Sequence, residues 1–202
     1  ILIAIIIFFI IKGSVYLNLF ILFCLLISLY EWHMMKKNNF HYVSGIIFLF
    51  LSFYSVFRLT NFEVDYSYFL FILLICISTD IGGYIFGKFF KGKKLTKISP
   101  NKTYSGMLGS FALSLVFSYL FLELTTIFSY LKLNSINTLI FILLISLISQ
   151  VGDIIISYFK RKSKIKNTGN IIPGHGGLLD RIDGMIFAFP FGYMTLSLEI
   201  LK

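Results

Sequence analysis

The chain has 202 residues, of which 57% are apolar, 18% aromatic and 13% charged, with a formal net charge of +9. A soluble domain of this length would leave much of that apolar surface facing water, and a disordered chain would not carry it, so both classes are excluded and an integral membrane protein is expected. The two cysteines, Cys24 and Cys76, each stand alone in an apolar run, which leaves neither a disulfide framework nor a thiolate metal site. The sequence starts at Ile1 without a Met or a basic flank, as expected of a clipped first span rather than a complete signal peptide.

Seven apolar runs follow in order: Ile1 to Ile11, Val15 to Tyr30, Tyr42 to Phe57, Tyr66 to Phe86, Met107 to Tyr130, Thr138 to Phe159 and Met185 to Leu201. They are continuously apolar rather than alternating, which predicts helices and not the strands of a closed barrel. The expected fold is an all-α polytopic helical bundle of about seven spans, a single transmembrane domain over 1–202, the first span truncated. If the breaks after spans 2, 4 and 6 share one side, that side holds 14 of the 18 Lys and Arg residues. The positive-inside rule then makes it the cytoplasmic side, where the charge can attract anionic head groups or a polyphosphate. Trp32, His33 and His41, near the break after span 2, are read as interfacial.

Polar residues inside the later spans need a physical reason. Asp80-Ile-Gly-Gly-Tyr-Ile-Phe-Gly-Lys88 contains G-x-x-x-x-G-K, but Phe89 stands where a phosphate loop needs Ser or Thr, and the preceding run reads as a membrane helix rather than a strand. Gly83 and Gly87 are instead expected to permit close helix contact. Lys102 and Thr103, just before span 5, offer a cation and a hydroxyl to phosphate. Asp153 lies well inside span 6, where an ionised carboxylate facing lipid costs about 2.5–3.5 kcal/mol. Asp153 and Ser157 are i and i+4, with Lys160 and Arg161 about a turn further, so one face runs from carboxylate through hydroxyl to cation. An interhelical hydrogen-bond anchor explains Asp153 without function; a metal or ion site explains it with one.

The segment Pro173-Gly-His175-Gly-Gly-Leu-Leu-Asp180-Arg181-Ile-Asp183-Gly184 precedes the last run. Its glycines, at 174, 176 and 177, let backbone amides approach phosphate oxygens, and Asp180 and Asp183 at i and i+3 can face one point. Converging carboxylates with phosphate oxygens are the usual setting of Mg²⁺. Helix N-terminal preference explains one of these acids without function. Zinc at His175 is disfavoured, because no second His or Cys stands at ligand spacing.

Ser157-Tyr-Phe-Lys160-Arg161, a basic spacer, and then His175-Gly-Gly-Leu-Leu-Asp180-Arg181-Ile-Asp183 resemble the signature of the phosphatidate cytidylyltransferases, the CDP-diacylglycerol synthases. Gln150-Val-Gly-Asp153, Ser99-Pro-Asn-Lys102-Thr103 with Gly106, Asp80-Ile-Gly-Gly-Tyr and Glu31-Trp32 are similar to further segments of that family. The resemblance implies transfer of CMP from CTP to phosphatidate in a bacterial inner membrane, with a cytoplasm-facing site built within 80–184. It implies Mg²⁺ on Asp153 and Asp180, leaving open a second, monovalent cation. Asp183 is a further acid of the centre, and Lys102, Lys160, Arg161 and Arg181 would neutralise phosphates. Ser99, Thr103, Ser157, His175, Gly176 and Gly177 complete the expected substrate contacts. The implied partners are CTP, phosphatidate and the bilayer, with no nucleic acid, and a homodimer is left open. Two positions depart from the family pattern, Ser105 and Asn167, where acids are usual. They and the clipped start leave a catalytically impaired, structural homologue as one alternative. An ion- or proton-coupled transporter using Asp80 and Asp153 is another, although no symmetry between halves is evident.

Overall fold

The computed structural model describes residues 2–36, 39–61, 66–96, 98–99, 102–124, 135–171 and 176–198. Among them are eight helices: α1 Leu2–Lys12, α2 Ser14–Met34, α3 Asn39–Asn61, α4 Ser67–Phe90, α5 Tyr104–Leu124, α6 Ser135–Lys162, α7 Leu179–Ile182 and α8 Met185–Ser197. Strand pairing among the described residues is limited to the antiparallel bridge between Lys94 and Thr103.

Five helices, α2 to α6, are long and apolar enough to cross a membrane. The chain is thus a multi-pass membrane protein, and the expected helical bundle is what forms. The first and last of the seven expected spans are shorter in the described residues. The α8 helix has 13 residues and therefore extends about 20 Å at 1.5 Å per residue, less than the ~30 Å of hydrocarbon. The expected runs to Tyr130 and to Leu201 end outside the described residues. Gly13, at φ 108, separates α1 from α2, and α1 folds back so that Phe9 stacks on Phe20 at 4.8 Å between ring centroids.

The core lies in two apolar groups. One collects Phe71, Ile72, Ile75, Phe141, Ile145 and Phe189 from α4, α6 and α8. The other collects Leu17, Trp32, Leu49, Phe53, Leu179 and Ile186 from α2, α3, α7 and α8. Leu19, Phe23, Leu26, Phe50, Leu108 and Leu120 stay exposed on the outer faces, as lipid permits.

The α5 helix buries only glycines and serines, namely Gly106, Gly109, Ser110, Ser114 and Ser118. Small residues replace apolar side chains here because hydrophobicity does not drive helices together in lipid, whereas close backbone approach does. Ser110 Oγ donates to the Thr79 carbonyl of α4 at 2.7 Å. Gly83 and Gly87 lie in this same α4–α5 contact, facing Ser110 and Gly106, as their spacing predicts.

The ends of α2, α4 and α6 meet at one end of the bundle, the parity that the basic residues require. Ser163 Oγ, just past α6, donates to the Met35 carbonyl after α2 at 2.8 Å, and Lys102, after α4, pairs with Asp153 of α6.

At Gly82 a Cβ would meet the backbone of Gly109 and Ser110, which has no flexible end to give way. Gly82→Val is therefore expected to destabilise the bundle by about 1–3 kcal/mol, the usual range for overpacking. Thermal unfolding in detergent checks this; an unchanged midpoint contradicts the α4–α5 contact.

Candidate active site

The last turns of α6 carry the expected polar face. Ser157 Oγ donates to Asp153 Oδ1 at 3.3 Å, and Lys160 follows on the same side, 8% exposed. Arg161 is exposed, and its Nη1 reaches only the Ile165 carbonyl, at 3.5 Å. One residue along a helix turns the side chain by about 100°, so Lys160 faces inward and Arg161 does not line the cavity it was expected to serve.

The segment between α4 and α5 brings in the second cation. Leu95 N donates to the Lys102 carbonyl at 2.7 Å and Tyr104 N to the Lys93 carbonyl at 3.1 Å, closing a narrow loop around the bridge. Thr103 Oγ1 accepts from Gly106 N at 3.1 Å, capping α5. This fixes the preceding residue, and Lys102 Nζ forms an ion pair with Asp153 while donating to the Gln150 carbonyl at 3.2 Å. Ser99 accepts from the Lys102 amide at 3.1 Å, so its carbonyl holds the same turn. Ser105 Oγ lies 3.0 Å from Thr103 Oγ1 and accepts from Gly92 N at 3.4 Å.

The segment after α6 brings in the other acids. Asp180 Oδ1 accepts from Lys160 Nζ at 2.9 Å. Its Oδ2 accepts from the Thr168 amide at 2.8 Å and the Gly177 amide at 3.0 Å. Burial works to raise this carboxyl, but the Lys160 ammonium and the two amides outweigh it and hold it below the usual carboxylate range. Lys160 Nζ also lies 3.8 Å from Asp183 Oδ2. Asp183 shares a hydrogen bond with Asp153; burial first, then the Asp153 charge, pushes Asp183 well above the usual range against the pull of Lys160. The acid in contact with Asp153 is thus Asp183, while Asp180 joins the cluster through Lys160. Gly152 and Gly184 permit this approach: a Cβ on the first would strike the Phe187 ring, and one on the second would strike Ser149.

These groups surround a cavity of about 440 Å³, also lined by Asp80, Ser99, Thr103 and Arg181. The polar groups collect at one end of the bundle, which does not favour a relay across the membrane. The Gly177 amide, expected on phosphate, is engaged by Asp180. Gly176 has φ +88, and a Cβ there would also meet Asp180 Oδ2. Gly174 and His175 lie outside the described residues. Among the described residues no three His, Cys, Asp or Glu side chains converge as a ready-made metal cage. Lys88 donates to the Tyr84 hydroxyl at 3.4 Å on the surface of an unbroken helix, which is no phosphate loop.

Two residues gain a part that the sequence did not disclose. Glu31, noted only for its resemblance, is a buried carboxylate holding the segment before α7, and Thr168 joins it to Asp180. An acid at the end of an apolar run beside Trp32 reads as interfacial; its amide partners, more than a hundred residues away, leave no periodic signal. Trp32 itself donates to the Tyr42 carbonyl at 3.1 Å, and His33 Nδ1 lies 2.9 Å from the Tyr42 hydroxyl, tying α2 to α3 near their junction.

Fold and site together define a polytopic membrane protein with a cation- and carboxylate-lined cavity at one bundle end. Residues 38–199 match the model of the cytidylyltransferase family, and the chain belongs to that family. The phosphatidate cytidylyltransferase of Bacillus subtilis is 38% identical over 133 residues, which are 65% of this chain and 48% of the relative. That of Rickettsia typhi is 37% identical over 169 residues, 79% of this chain and 72% of the relative. That of Rickettsia conorii is 43% identical over 143 residues, 68% of this chain and 60% of the relative. The chain therefore spans about half of the first of these relatives and under three quarters of the other two.

Lys160→Met strips the countercharge from Asp180 and Asp183 and is expected to cost about 3 kcal/mol near neutral pH, as breaking a buried pair does. The lowered Asp180 carboxyl contributes stability above the ordinary carboxylate pKa of about 3.9 and loses it as pH falls through the folded value. The gap between wild type and variant should accordingly close on acidification. Thermal unfolding across pH measures it, and a gap that widens toward acid contradicts the pairing.

Proposed function

We propose that this chain transfers CMP from CTP to phosphatidate, giving CDP-diacylglycerol and pyrophosphate, at the cytoplasmic face of a bacterial inner membrane. The observation that carries the reading is the cavity that Lys102, Lys160 and Arg181 line together with Asp80, Asp153, Asp180 and Asp183, in a chain of the cytidylyltransferase family. The 14 basic residues assigned to this end support its cytoplasmic placement.

The lipid phosphate supplies the nucleophile. A phosphatidate oxygen attacks the α-phosphorus of CTP, a P–O bond forms, and the bond from that phosphorus to the bridging oxygen of the β-phosphate breaks with release of pyrophosphate. No protein nucleophile is needed. The obstacle is the approach of one polyanion to another, so catalysis rests on placed positive charge. Lys102 and Lys160 are held for this purpose by Asp153 and Asp180, and phosphate oxygens entering the cavity compete for the same ammonium groups. A cavity at the bundle end lets the acyl chains remain in lipid while the head group meets a nucleotide from water.

The donor set fits Mg²⁺. Asp153 and Asp183 bring hard oxygens together, and a divalent cation would offset the burial and the Asp153 charge that push the Asp183 carboxyl upward. These two would hold the ion, with substrate phosphate oxygens and water completing its shell. Asp180, whose oxygens already accept from Lys160, Thr168 and Gly177, serves the site through Lys160. When bound, the ion neutralises phosphate charge and polarises the α-phosphate.

With the full chain in nanodiscs containing phosphatidate, CTP labelled at the α-phosphate should yield chloroform-extractable label that EDTA abolishes. Asp153→Asn should reduce the rate by about 10²–10³, the scale of removing one preorganised electrostatic group. Absence of label, where the Bacillus subtilis relative in the same assay produces it, would falsify the reading.

A further inference from the structure

Glu31 is a buried carboxylate for which the reaction has no use. It sits in the last turn of α2, 1% exposed, next to Trp32 in the chain and against the backbone of the buried residues Leu178 and Leu179. A carboxylate in such surroundings persists only where donors satisfy it. Three do: Leu178 N donates to Oε1 at 2.8 Å, and Leu179 N and Thr168 Oγ1 both donate to Oε2 at 2.8 Å.

These donors belong to the two backbone segments that clamp Asp180. Thr168 gives its hydroxyl to Glu31 and its amide to Asp180 Oδ2. Gly177, whose amide is the other donor to Asp180 Oδ2, directly precedes the two residues whose amides Glu31 holds. Steric fit points the same way. A Cβ on Gly177 would strike both Glu31 oxygens and the Thr168 hydroxyl, and one on Gly169 would come within 3.0 Å of Glu31 Oε1. Both segments are thus folded onto the Glu31 carboxylate, and Asp180 in turn fixes Lys160.

We propose that Glu31 is a positioning residue of the site: it sets the Thr168 and Gly177 amides that orient Asp180, and through Asp180 it aims Lys160 into the cavity. Its consequence for turnover rests on the cytidylyl-transfer reading, while its structural part does not. Glu31 does not line the cavity and so acts only through these neighbours.

The test uses the full chain in nanodiscs with three variants, Glu31→Gln, Asp180→Asn and the double. Glu31→Gln retains shape but loses an accepting oxygen. Amide hydrogen exchange over residues 166–180 should accelerate by about tenfold or more, the loss of one charge-assisted hydrogen bond, while α4 exchanges as in the wild type. CMP transfer should fall in each single variant, and the double should be no slower than Asp180→Asn alone, since both changes break one chain of contacts. Should Glu31→Gln fail to fold, Thr168→Val, which removes the hydroxyl and keeps the amide, must accelerate the same exchange. Unchanged exchange over 166–180, acceleration spread equally over α2 to α6, or multiplicative losses in the double variant overturn the proposal. A wild type that makes no lipid product overturns the transfer reading instead, and the exchange pattern, which needs no turnover, still decides the part played by Glu31.

Discussion

Lys160 carries the constraint on which the site depends. A lysine near the end of a membrane helix ordinarily extends its ammonium toward water, yet this one turns inward, 8% exposed, and lies between Asp180 and Asp183. The arrangement holds because each charge is desolvated beside an opposite charge, and removing any member leaves the others buried and unmatched. The pairing also ties the end of α6 to α7 and to the residue that follows it.

Charge alone does not bring these elements together. The α6 helix approaches the turn before α8 through Gly152 and Gly184, and α4 approaches α5 through glycine and serine. In lipid such contacts replace the hydrophobic drive that packs soluble proteins. They narrow the bundle where carboxylates must meet and leave the 440 Å³ cavity at its end. The proposed transfer between a soluble nucleotide and a lipid head group fits that position, because neither substrate then needs to cross the apolar core.

Much of this was legible in the sequence wherever regular geometry connects residues. Continuous apolar runs marked the helices, the basic residues gave the parity of the breaks, and helical periodicity placed Asp153, Ser157 and Lys160 on one face. Gly83 and Gly87 read correctly as helix contacts because small residues have few other uses there. What was not legible depends on irregular backbone. The same periodicity was stretched too far in grouping Arg161 with Lys160, since adjacent helical residues diverge. The contact of Asp153 with Asp183 depends on where α7 and the turn after it lie against α6, which no spacing encodes. Glu31 escaped for the same reason: its partners are 137 to 148 positions away, and two of them are backbone amides that every residue but proline possesses.

The account turns on acids of α6 and of the turn before α8 meeting in the folded membrane protein. A chain carrying Asp153→Cys and Asp183→Cys, with Cys24 and Cys76 replaced by alanine, can be treated in native membranes with a short bifunctional thiol reagent and then cleaved between the two positions. The account predicts that the two fragments stay joined, and that neither singly substituted chain gives joined fragments. Fragments that separate, under conditions in which a Lys94→Cys and Thr103→Cys pair in the adjoining bridge links fully, contradict it.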